Sequence, residues 1–386
     1  MALKTFRVLE LADGVAGEYC GKLLADFGAD VIKLEAPGRG SATRGMGPFA
    51  GEGPAGETSA LFAYLNTNKR SVAFDVTSDA GRATLAQLLE RVDVVIDDHA
   101  DGWLASVGLD PATIEARHPG LVLCAITAYG ASPPEERRHA EDLNVFHASG
   151  WGYHTPSGAQ PSQVPLKGAG RFLVSYEAGL DAALCVAAAL VDRGATGLGR
   201  VIDVSKQAVM ASRADYVLAQ MVAGDMNVGT HRTAYDLHGP AGIFECRDGY
   251  AYLWMSAPAH WEALGKLMGH PDWMKDFAPN WLERDCTPER VALCRQHVAA
   301  WLKGRDKERI ATEAQALGLT MVAANDAQDL KASPQYAFRQ YFARLEHPVL
   351  GALEYPTVPY RLSATPAALR TPAPALGQHT REVLAP

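Results

Sequence analysis

Glu141 and Asp142 are the residues whose types point most directly to chemistry, because they place two carboxylates side by side in the chain. Different local environments can push the pKa values of neighbouring carboxyl groups apart, so that one acts as an acid and the other as a base. A structural interpretation also stands, since Asp142 precedes an apolar segment and aspartate is a good N-terminal helix cap. From the residues alone, both interpretations remain open.

Ser175 and Glu177 form a second candidate pair at the start of a predicted helix, Tyr176–Val191. Serine is a preferred N-cap, and a glutamate is favourable in the first turn of a helix. As a nucleophile, Ser175 would need a base such as His139 or His154 within reach. Glu177 is also a carboxylate that could take part in catalysis itself.

Lys69 and Arg70 are adjacent cations between a predicted polar turn, Asn66–Arg70, and a predicted strand, Ser71–Asp75. Two neighbouring cations could grip a phosphate group. Solvated charges in a turn are the alternative interpretation. His99 follows another predicted strand, and it either contacts a ligand or faces solvent.

The opening of the chain predicts a βαβ unit that would position such groups. Phe6–Leu11 and Asp30–Leu34 are apolar runs of strand length, and Glu18–Phe27 between them has apolar residues at helical spacing. Parallel strands require a crossover of this kind. The turn before the helix lacks the G-x-G-x-x-G pattern, and Glu18 would repel a pyrophosphate, so we expect no dinucleotide site there.

Further strands alternate with helices along the first part of the chain. Apolar runs predict strands at Ser71–Asp75, Val92–Ile96, Leu121–Thr127 and Val201–Val204. This alternation is typical of an α/β fold with a Rossmann-like open sheet, in which ligands bind at the carboxyl ends of the strands. The loops expected at those ends are Ala12–Gly17, Glu35–Gly40, Asp97–His99 and Ala128–Gly130.

The length of the chain, 386 residues, exceeds one average domain and predicts two lobes. We expect a large α/β lobe over 1–225 and a smaller α+β lobe over 226–325. A return segment and an extended, proline-rich tail would follow over 326–386. Such a tail is stable only against another surface, so it should complete the large lobe or wrap a partner subunit.

Composition argues against several classes of function. The net charge of −8 is spread over 36 basic and 44 acidic residues, which disfavours nucleic-acid binding. No uncharged apolar run reaches the length of a membrane span, and no signal-peptide pattern is present. The six cysteines include no C-x-x-C pair and the histidines no H-x-x-x-H spacing, so a metal site is not expected. We expect a cytoplasmic protein.

Several segments together resemble the family III CoA-transferases, which include formyl-CoA and carnitine CoA-transferases and the related α-methylacyl-CoA racemases. The similar segments occur in the family's order and cover nearly the whole chain. They are LLADFGADVIKLEAPGRG, NTNKRSVAFDVTSDAGR, VGLDPATIEARHPGLVLCAITAYG, EDLNVFHASGWG, AGLDAALCVAAALVDRGATGLGRVIDVS, GIFECRDGYAYL and TPAPALGQHTREVL.

The resemblance implies a two-lobed fold that assembles as an interlocked homodimer and binds CoA as a substrate, without a metal. It implies CoA contacts on the large lobe near Lys69 and Arg70 and in the loop after Ile96. The residues expected to contact CoA are Val15, Lys69, Arg70, Val76, Asp98, His99, Tyr129 and Gly130.

The resemblance also implies a covalent mechanism, in which an aspartate of the family attacks the acyl-CoA thioester. That aspartate lies four residues before a glycine, which Gly179 matches here, so Ser175 holds the aspartate's position. Val15 holds the position of the glutamine that stabilises the oxyanion in formyl-CoA transferases. The residues expected to carry catalysis are Ser175, Glu141, Asp142 and Glu177.

CoA transfer between an acyl-CoA and a carboxylic acid is the main prediction, with a displaced carboxylate in place of the missing aspartate. One alternative is a catalytically silent subunit of a heteromer, whose partner paralogue carries the aspartate. Another is an acyl-CoA racemase, isomerase or lyase, in which Glu141 and Asp142 act at the α-carbon. A non-enzymatic CoA-binding subunit is the remaining alternative.

Overall fold

Apolar strands that alternate with helices build a six-stranded parallel sheet in the order β3-β2-β1-β4-β5-β6. Its strands are β1 (Arg7–Glu10), β2 (Asp30–Glu35), β3 (Lys69–Ala73), β4 (Val94–Asp97), β5 (Val122–Thr127) and β6 (Val201–Ser205). The order reverses between β1 and β4, and sheets of this kind bind ligands at the carboxyl ends of the strands near that point. The predicted α/β fold with an open parallel sheet is confirmed.

The sheet belongs to the first of two units in this computed structural model. The structure describes residues 1–54, 56–134, 136, 140–154, 164–165, 168, 170–224 and 240–385. The first unit contains the described residues up to 224 together with 340–385, and the second contains 240–339. The second unit continues to Arg339, whereas the sequence predicts a smaller lobe that ends at 325.

Helices cover both faces of the sheet. The helices of the first unit before its C-terminal segment are α1 (Val15–Asp26), α2 (Ala60–Leu65), α3 (Asp79–Leu89), α4 (Trp103–Ser106), α5 (Pro111–Arg117), α6 (Asp142–Ala148), α7 (Trp151–His154), α8 (Leu173–Thr196), α9 (Lys206–Ala211) and α10 (Asp215–Ala223). One apolar cluster lies between the sheet, α1 and α8, and another lies under α3 and α5 on the opposite face.

Two helix predictions need correction. α1 begins at Val15 rather than Glu18. The sequence also predicts a single helix over Ser205–Val222, which is wrong because the helix is interrupted between α9 and α10. At the break, the side chains of Ser212 and Arg213 both donate to the carbonyl of Val209, at 2.7 and 3.1 Å, and such bonds compete with continued helix.

Gly179 allows α8 to pack closely on α1. A Cβ atom at this position would lie 2.5 Å from the carbonyl oxygen of Ala16, which is far inside van der Waals contact. Only glycine therefore permits this approach of the two helices.

α8 is also longer than predicted, since it extends over Leu173–Thr196 instead of Tyr176–Val191. By length and composition it could cross a membrane, but half of its most apolar window is buried inside the protein. The core helix of a soluble protein passes the same test, so this feature is weak evidence for a membrane span.

The second unit is an antiparallel sheet covered by helices. Its strands are β7 (Gly242–Cys246), β8 (Gly249–Trp254) and β9 (Thr320–Ala324), in that order. Its helices are α11 (Pro258–Met268), α12 (Trp281–Arg284), α13 (Pro288–Leu302), α14 (Lys307–Ala316), α15 (Ala327–Ala332) and α16 (Pro334–Arg339). The sequence predicts a hairpin from His238–Cys246 and Tyr250–Trp254, with a turn at Asp248 and Gly249, and the antiparallel pairing of β7 and β8 confirms it. Its predicted start at His238 lies outside the described residues.

The sequence predicts an extended C-terminal tail, but the segment is not extended throughout. It forms a hairpin, β10 (Phe342–His347) and β11 (Gly351–Pro356), and ends in helix α17 (Thr380–Leu384). The strands of this hairpin are partly exposed, so they lack the continuous apolar runs by which the parallel strands were predicted. Just before α17, the N–H of His379 donates to the carbonyl of Ser71 in β3 at 2.9 Å, so the tail packs against the first unit.

Candidate active site

Asp98, the residue after β4, caps the N-terminus of α1. Its Oδ1 accepts hydrogen bonds from the backbone N–H groups of Asp13 (2.9 Å) and Gly14 (3.0 Å), and its Oδ2 accepts one from Gly17 (2.9 Å). Burial alone would raise the pKa of Asp98, but the charge of Lys206 and the backbone N–H donors hold it below its ordinary value. A helix N-terminus can bind phosphate, and here a carboxylate of the protein itself occupies it.

His99 lies next to Asp98 and is held by two neighbours. Its Nδ1 lies 2.6 Å from Oδ1 of Asp97, and its ring stacks on Trp103 with 3.7 Å between ring centroids. Burial opposes protonation of the ring, but the hydrogen bond and charge of Asp97 raise the pKa of His99 above its ordinary value. His99 is therefore a site of positive charge over a wider pH range than a free histidine.

An open cavity lies beside His99, at the carboxyl ends of β1, β2 and β3. Its wall combines apolar with polar and charged side chains, among them Phe74, Val76, Trp103, Arg39, Asp75 and Thr77. Val76 and His99, both predicted to contact CoA, thus face the same cavity.

The sequence predicts Lys69 and Arg70 in a turn, but the structure places both in strand β3. Successive side chains of a strand point to opposite faces, so the two cations are separated. The ammonium of Lys69 is completely enclosed and lies 2.8 Å from Oε2 of Glu10. Arg70 pairs with Asp30 at 2.6 Å and with Glu382 at 2.9 Å. The two side chains therefore do not form a joint phosphate grip.

Lys69 belongs to a set of buried charges that the sequence analysis missed. We call Glu10, Glu18, Lys33 and Lys69 the buried ion network. Lys33 Nζ lies 3.1 Å from Glu10 and 2.8 Å from Glu18, and all four side chains are 0% exposed. Glu18 also accepts a hydrogen bond from Asn66 at 3.0 Å. The available signal was the presence of Glu10, Lys33 and Lys69 in strands whose other residues are largely apolar.

Asp142, Ser175 and Lys206 meet at one point, and we call them the Asp142 cluster. The backbone N–H of Ser175 donates to Oδ2 of Asp142 at 3.0 Å, and its hydroxyl donates to Oδ1 at 2.8 Å. Lys206 Nζ donates to Ser175 Oγ at 3.1 Å and lies 3.5 Å from Oδ1 of Asp142. The side chains of Asp142 and Lys206 are 14% and 16% exposed, so the cluster is nearly buried and still open on one side.

A small apolar cluster holds the three elements that carry these residues. It consists of Val145 and Phe146 from α6, Val174 from α8 and Met210 from α9. The sequence predicts Ser175 as the N-cap of this helix. That prediction is wrong, because α8 begins two residues earlier. The carboxylate of Asp142, at the start of α6, binds the N–H of Ser175 in its place.

Glu141 and Glu177, the other two predicted catalytic residues, are engaged elsewhere. Glu141 is exposed and forms the N-terminal capping box of α6 with Asn144. Glu177 pairs with Nε of Arg213 at 2.6 Å, and the same guanidinium also binds Asp181 at 2.6 Å. The structure thus brings Asp142 and Ser175 together and leaves both glutamates out of the cluster.

Three further residues predicted to contact CoA lie near the carboxyl ends of the parallel strands. Val15 is buried at the first position of α1. Tyr129 and Gly130 follow β5, and Gly130 has the left-handed φ of 91° that favours glycine. A Cβ atom on Gly130 would lie 3.4 Å from the carboxylate of Asp203.

Two histidines were predicted as possible bases for Ser175. His139 lies outside the described residues, and His154 is described by its backbone only. Among the described residues, no group of three or more His, Cys, Asp or Glu side chains could hold a metal ion.

Lys206 is the member of the Asp142 cluster that the sequence analysis missed. It directly follows β6 and is the first residue of α9. The available signal was its position, because a cation in the first turn of a helix is disfavoured by the helix dipole and a strand end of an open sheet is a ligand-binding position.

The fold and this site define an α/β enzyme with a carboxylate-centred site at the edge of a parallel sheet, and comparisons with known proteins name the family. Residues 3–380 match the family model for CoA-transferase family III. The chain is 29% identical over 383 residues to the succinyl-CoA--D-citramalate CoA-transferase of Chloroflexus aurantiacus, which covers 99% of this chain and 92% of that protein. It is also 29% identical to the succinyl-CoA:(R)-benzylsuccinate CoA-transferase subunit BbsE of Thauera aromatica, over 98% of this chain and 92% of that protein.

Solved structures agree with this result. A CAIB/BAIF family protein from Brucella suis superposes with a TM-score of 0.81 at 28% identity, over 99% of this chain and 98% of that protein. The chain belongs to CoA-transferase family III. It is an enzyme that transfers CoA between an acyl-CoA and a carboxylic acid, and CoA thioesters are its substrates.

Proposed function

We propose that this enzyme transfers CoA from succinyl-CoA to another carboxylic acid through a covalent intermediate on Asp142. One observation carries the proposal: the carboxylate of Asp142 lies 2.8 Å from Oγ of Ser175. Ser175 holds the position at which the family resemblance expects an aspartate. An aspartate at position 175 would extend about one bond beyond Oγ. Asp142 thus supplies, from a neighbouring helix, the carboxylate that position 175 lacks.

The reaction on Asp142 requires no proton transfer. A carboxylate oxygen of Asp142 attacks the thioester carbon, and the C–S bond breaks to leave a mixed anhydride and the CoA thiolate. The thiolate then attacks the Asp142 carbonyl, so that the donor acid leaves as a carboxylate and Asp142 becomes a CoA thioester. The acceptor carboxylate attacks that thioester, and the same steps in reverse yield the new acyl-CoA and free Asp142.

The surroundings of Asp142 suit a nucleophile. The hydroxyl and N–H of Ser175 fix the orientation of the carboxylate, and Lys206 Nζ lies 3.5 Å from its Oδ1. Its 14% exposure leaves access from one side. Glu177 lacks this freedom because Arg213 holds it at 2.6 Å, and Glu141 is a solvent-exposed cap.

CoA is proposed to lie in the open cavity beside His99, with its phosphates near His99 and Arg39. Asp98 adjoins His99 in sequence, and the charge of Lys206 lowers its pKa. The proposed donor follows from the names of the two curated relatives above, which both use succinyl-CoA.

The enzyme is further proposed to act as a homodimer in the cytoplasm. α8 exposes large apolar side chains, with Leu184 68% and Val191 78% exposed, and an open apolar groove lies between α8, α1 and Tyr360. Apolar surface of this kind is typical of an interface. All six cysteines are free thiols, which suits a reducing compartment.

A silent subunit of a heteromer is the second candidate. Ser175 at the expected aspartate position favours it, as does the subunit name of the Thauera aromatica relative. In this case the chain alone would bind CoA without transferring it.

The test is to incubate the purified chain with succinyl-CoA and a panel of carboxylic acids, and to follow products and protein by mass spectrometry. We expect new acyl-CoA species and a CoA thioester on the peptide that contains Asp142. Asp142→Asn should abolish both, whereas the matched control Asp181→Asn, on α8 but outside the cluster, should retain both.

Other outcomes would change the assignment. An adduct that disappears in Glu141→Gln or Glu177→Gln, but not in Asp142→Asn, would move the nucleophile to that glutamate. CoA binding without transfer, with activity restored by an aspartate-bearing partner chain, would make this chain a silent subunit. Exchange of α-deuterium into a bound acyl-CoA without transfer would favour a racemase or lyase.

A further inference from the structure

We propose that Lys206 is a catalytic residue whose ammonium stabilises the negative charge that forms on the thioester oxygen and then on the departing CoA sulfur. This inference rests on the proposed function, because it requires the reaction to occur on Asp142. It assigns a specific chemical role to a side chain that the sequence pattern did not single out.

The position of Lys206 supports this role. Its Nζ lies 3.1 Å from Ser175 Oγ and 3.5 Å from Oδ1 of Asp142. The thioester carbon must approach an oxygen of Asp142 during attack, which brings it close to the ammonium. An ammonium has three donors, so the one hydrogen bond and one ion pair described here leave capacity for a further acceptor. The side chain is only 16% exposed, so water screens its charge weakly.

The local environment keeps this cation in place despite an unfavourable backbone position. Lys206 is the first residue of α9, where the helix dipole disfavours a positive charge. Two carboxylates compensate, because Lys206 pairs with Asp142 and its charge also lowers the pKa of Asp98. Asp98 is in turn fixed by three backbone N–H groups at the start of α1. The ammonium is thus held beside the carboxylate of Asp142, and Asp98 adds a second negative charge to its surroundings.

The charge of Lys206 matches the path of the negative charge during the reaction. In the free enzyme, the carboxylate of Asp142 neutralises the ammonium. When Asp142 attacks, that negative charge passes to the thioester oxygen and then, as the C–S bond breaks, to the sulfur. Asp142 itself becomes neutral as an anhydride, and Lys206 then faces the new negative charge without a competing partner. Charge is conserved, and the lysine keeps its proton throughout.

Val15 offers no alternative donor. It holds the position at which the family resemblance places an oxyanion-stabilising glutamine, but its side chain is apolar and 5% exposed. A thioester oxyanion needs preorganised donors, and loss of one such donor lowers kcat by about 10²–10³-fold. Within the Asp142 cluster, Lys206 is the side chain that supplies a positively charged donor.

The experiment compares Lys206→Met and Lys206→Ala with the control Lys303→Met, an exposed lysine of the second unit. For Lys206→Met we expect kcat to fall by about 10²–10³-fold, with the KM for acyl-CoA changed by only a few-fold. Formation of the Asp142–CoA thioester in a single turnover should slow by the same factor. Added ethylammonium should restore part of the rate in Lys206→Ala, which a purely structural role would not produce.

The results separate this inference from the proposal on which it rests. Suppose that the wild-type chain transfers CoA and that a folded Lys206→Met enzyme keeps a near-normal kcat. This result overturns the role of Lys206 and leaves Asp142 as the nucleophile. If Lys206→Met does not fold, as judged by circular dichroism, the absence of amine rescue in Lys206→Ala overturns it. Absence of both transfer and an Asp142 adduct in the wild-type chain overturns both proposals.

Discussion

The buried ion network and the Asp142 cluster contain the same kinds of groups, carboxylates and ammoniums, but they differ in access. In the buried ion network, Glu10, Glu18, Lys33 and Lys69 are 0% exposed and pair with one another under α1. In the Asp142 cluster, Asp142 and Lys206 are 14% and 16% exposed, and a single hydroxyl, that of Ser175, links them.

This difference separates a structural from a chemical use of charge. A fully enclosed carboxylate whose partners surround it cannot approach a substrate, and removing one partner leaves an uncompensated buried charge. A carboxylate with one open side, such as Asp142, can still be reached by a substrate. We therefore expect the network to control stability and the cluster to control rate, and the following predictions test that division.

Asp142→Asn should have the largest effect. We expect kcat to fall by at least about 10³-fold, because the nucleophile is lost, while the free energy of unfolding changes by about 1 kcal/mol or less, since asparagine still accepts from the N–H of Ser175. Steady-state kinetics and urea unfolding measure the two quantities. A large loss of stability with little loss of rate would assign Asp142 to the structural class.

Lys69→Met should show the opposite pattern. Because it leaves Glu10 buried without one of its two lysines, we expect the free energy of unfolding to fall by about 3–5 kcal/mol, with kcat of the folded fraction unchanged. Denaturant unfolding with and without CoA checks this. The exposed control Lys303→Met should change stability by about 0.5 kcal/mol or less. A stable Lys69→Met protein with reduced CoA affinity would instead place Lys69 in the CoA site.

His99 should make CoA binding depend on pH. Its pKa is raised in the folded protein, so its positive charge is present below the raised value and is lost as pH rises through it. We expect affinity for CoA to fall roughly tenfold across this step, by loss of one charge contact with a phosphate, and to become nearly pH-independent in His99→Gln. Calorimetric titration at several pH values measures this. The same protonation stabilises the fold below the ordinary histidine pKa, and that contribution disappears above the raised one.

Ser175→Ala should have the smallest effect. It removes one hydrogen bond to Asp142 but leaves the carboxylate, and such a bond contributes about 1 kcal/mol. We expect kcat to fall about fivefold, and the CoA adduct to remain on Asp142. Complete loss of the adduct in Ser175→Ala would show that the serine itself is the nucleophile.

Much of the fold could be predicted from local patterns. The strands around Val31, Val95 and Leu123 are buried on both faces, and continuous apolar runs of this kind are a reliable signal for parallel sheets. The pair Asp110-Pro111 predicts a helix start in an equally local way, with Asp110 as N-cap and Pro111 as the first helical residue, and the structure confirms it. The hairpin β10–β11 was missed because its half-exposed strands carry no such run.

The site was predictable only in part. Asp142 and Ser175 could be selected by type and by family resemblance, but the sequence offered no reason to join them rather than Glu141 or Glu177. Their contact spans 33 positions of the chain and depends on how α6 and α8 pack. The place of Lys69 in β3, with its side chain toward Glu10, could not be predicted because it depends on the register of the sheet.

The amino-acid sequence by itself determined the parallel sheet, the family and the absence of an aspartate at position 175, because each depends on residue type and short-range spacing. The tertiary structure alone decided which charges are enclosed and which remain open. Burial and pairing of a charge depend on every element packed around it, and those elements come from distant parts of the chain. For this reason Lys69 became part of the buried ion network, and Lys206 came to lie beside Asp142.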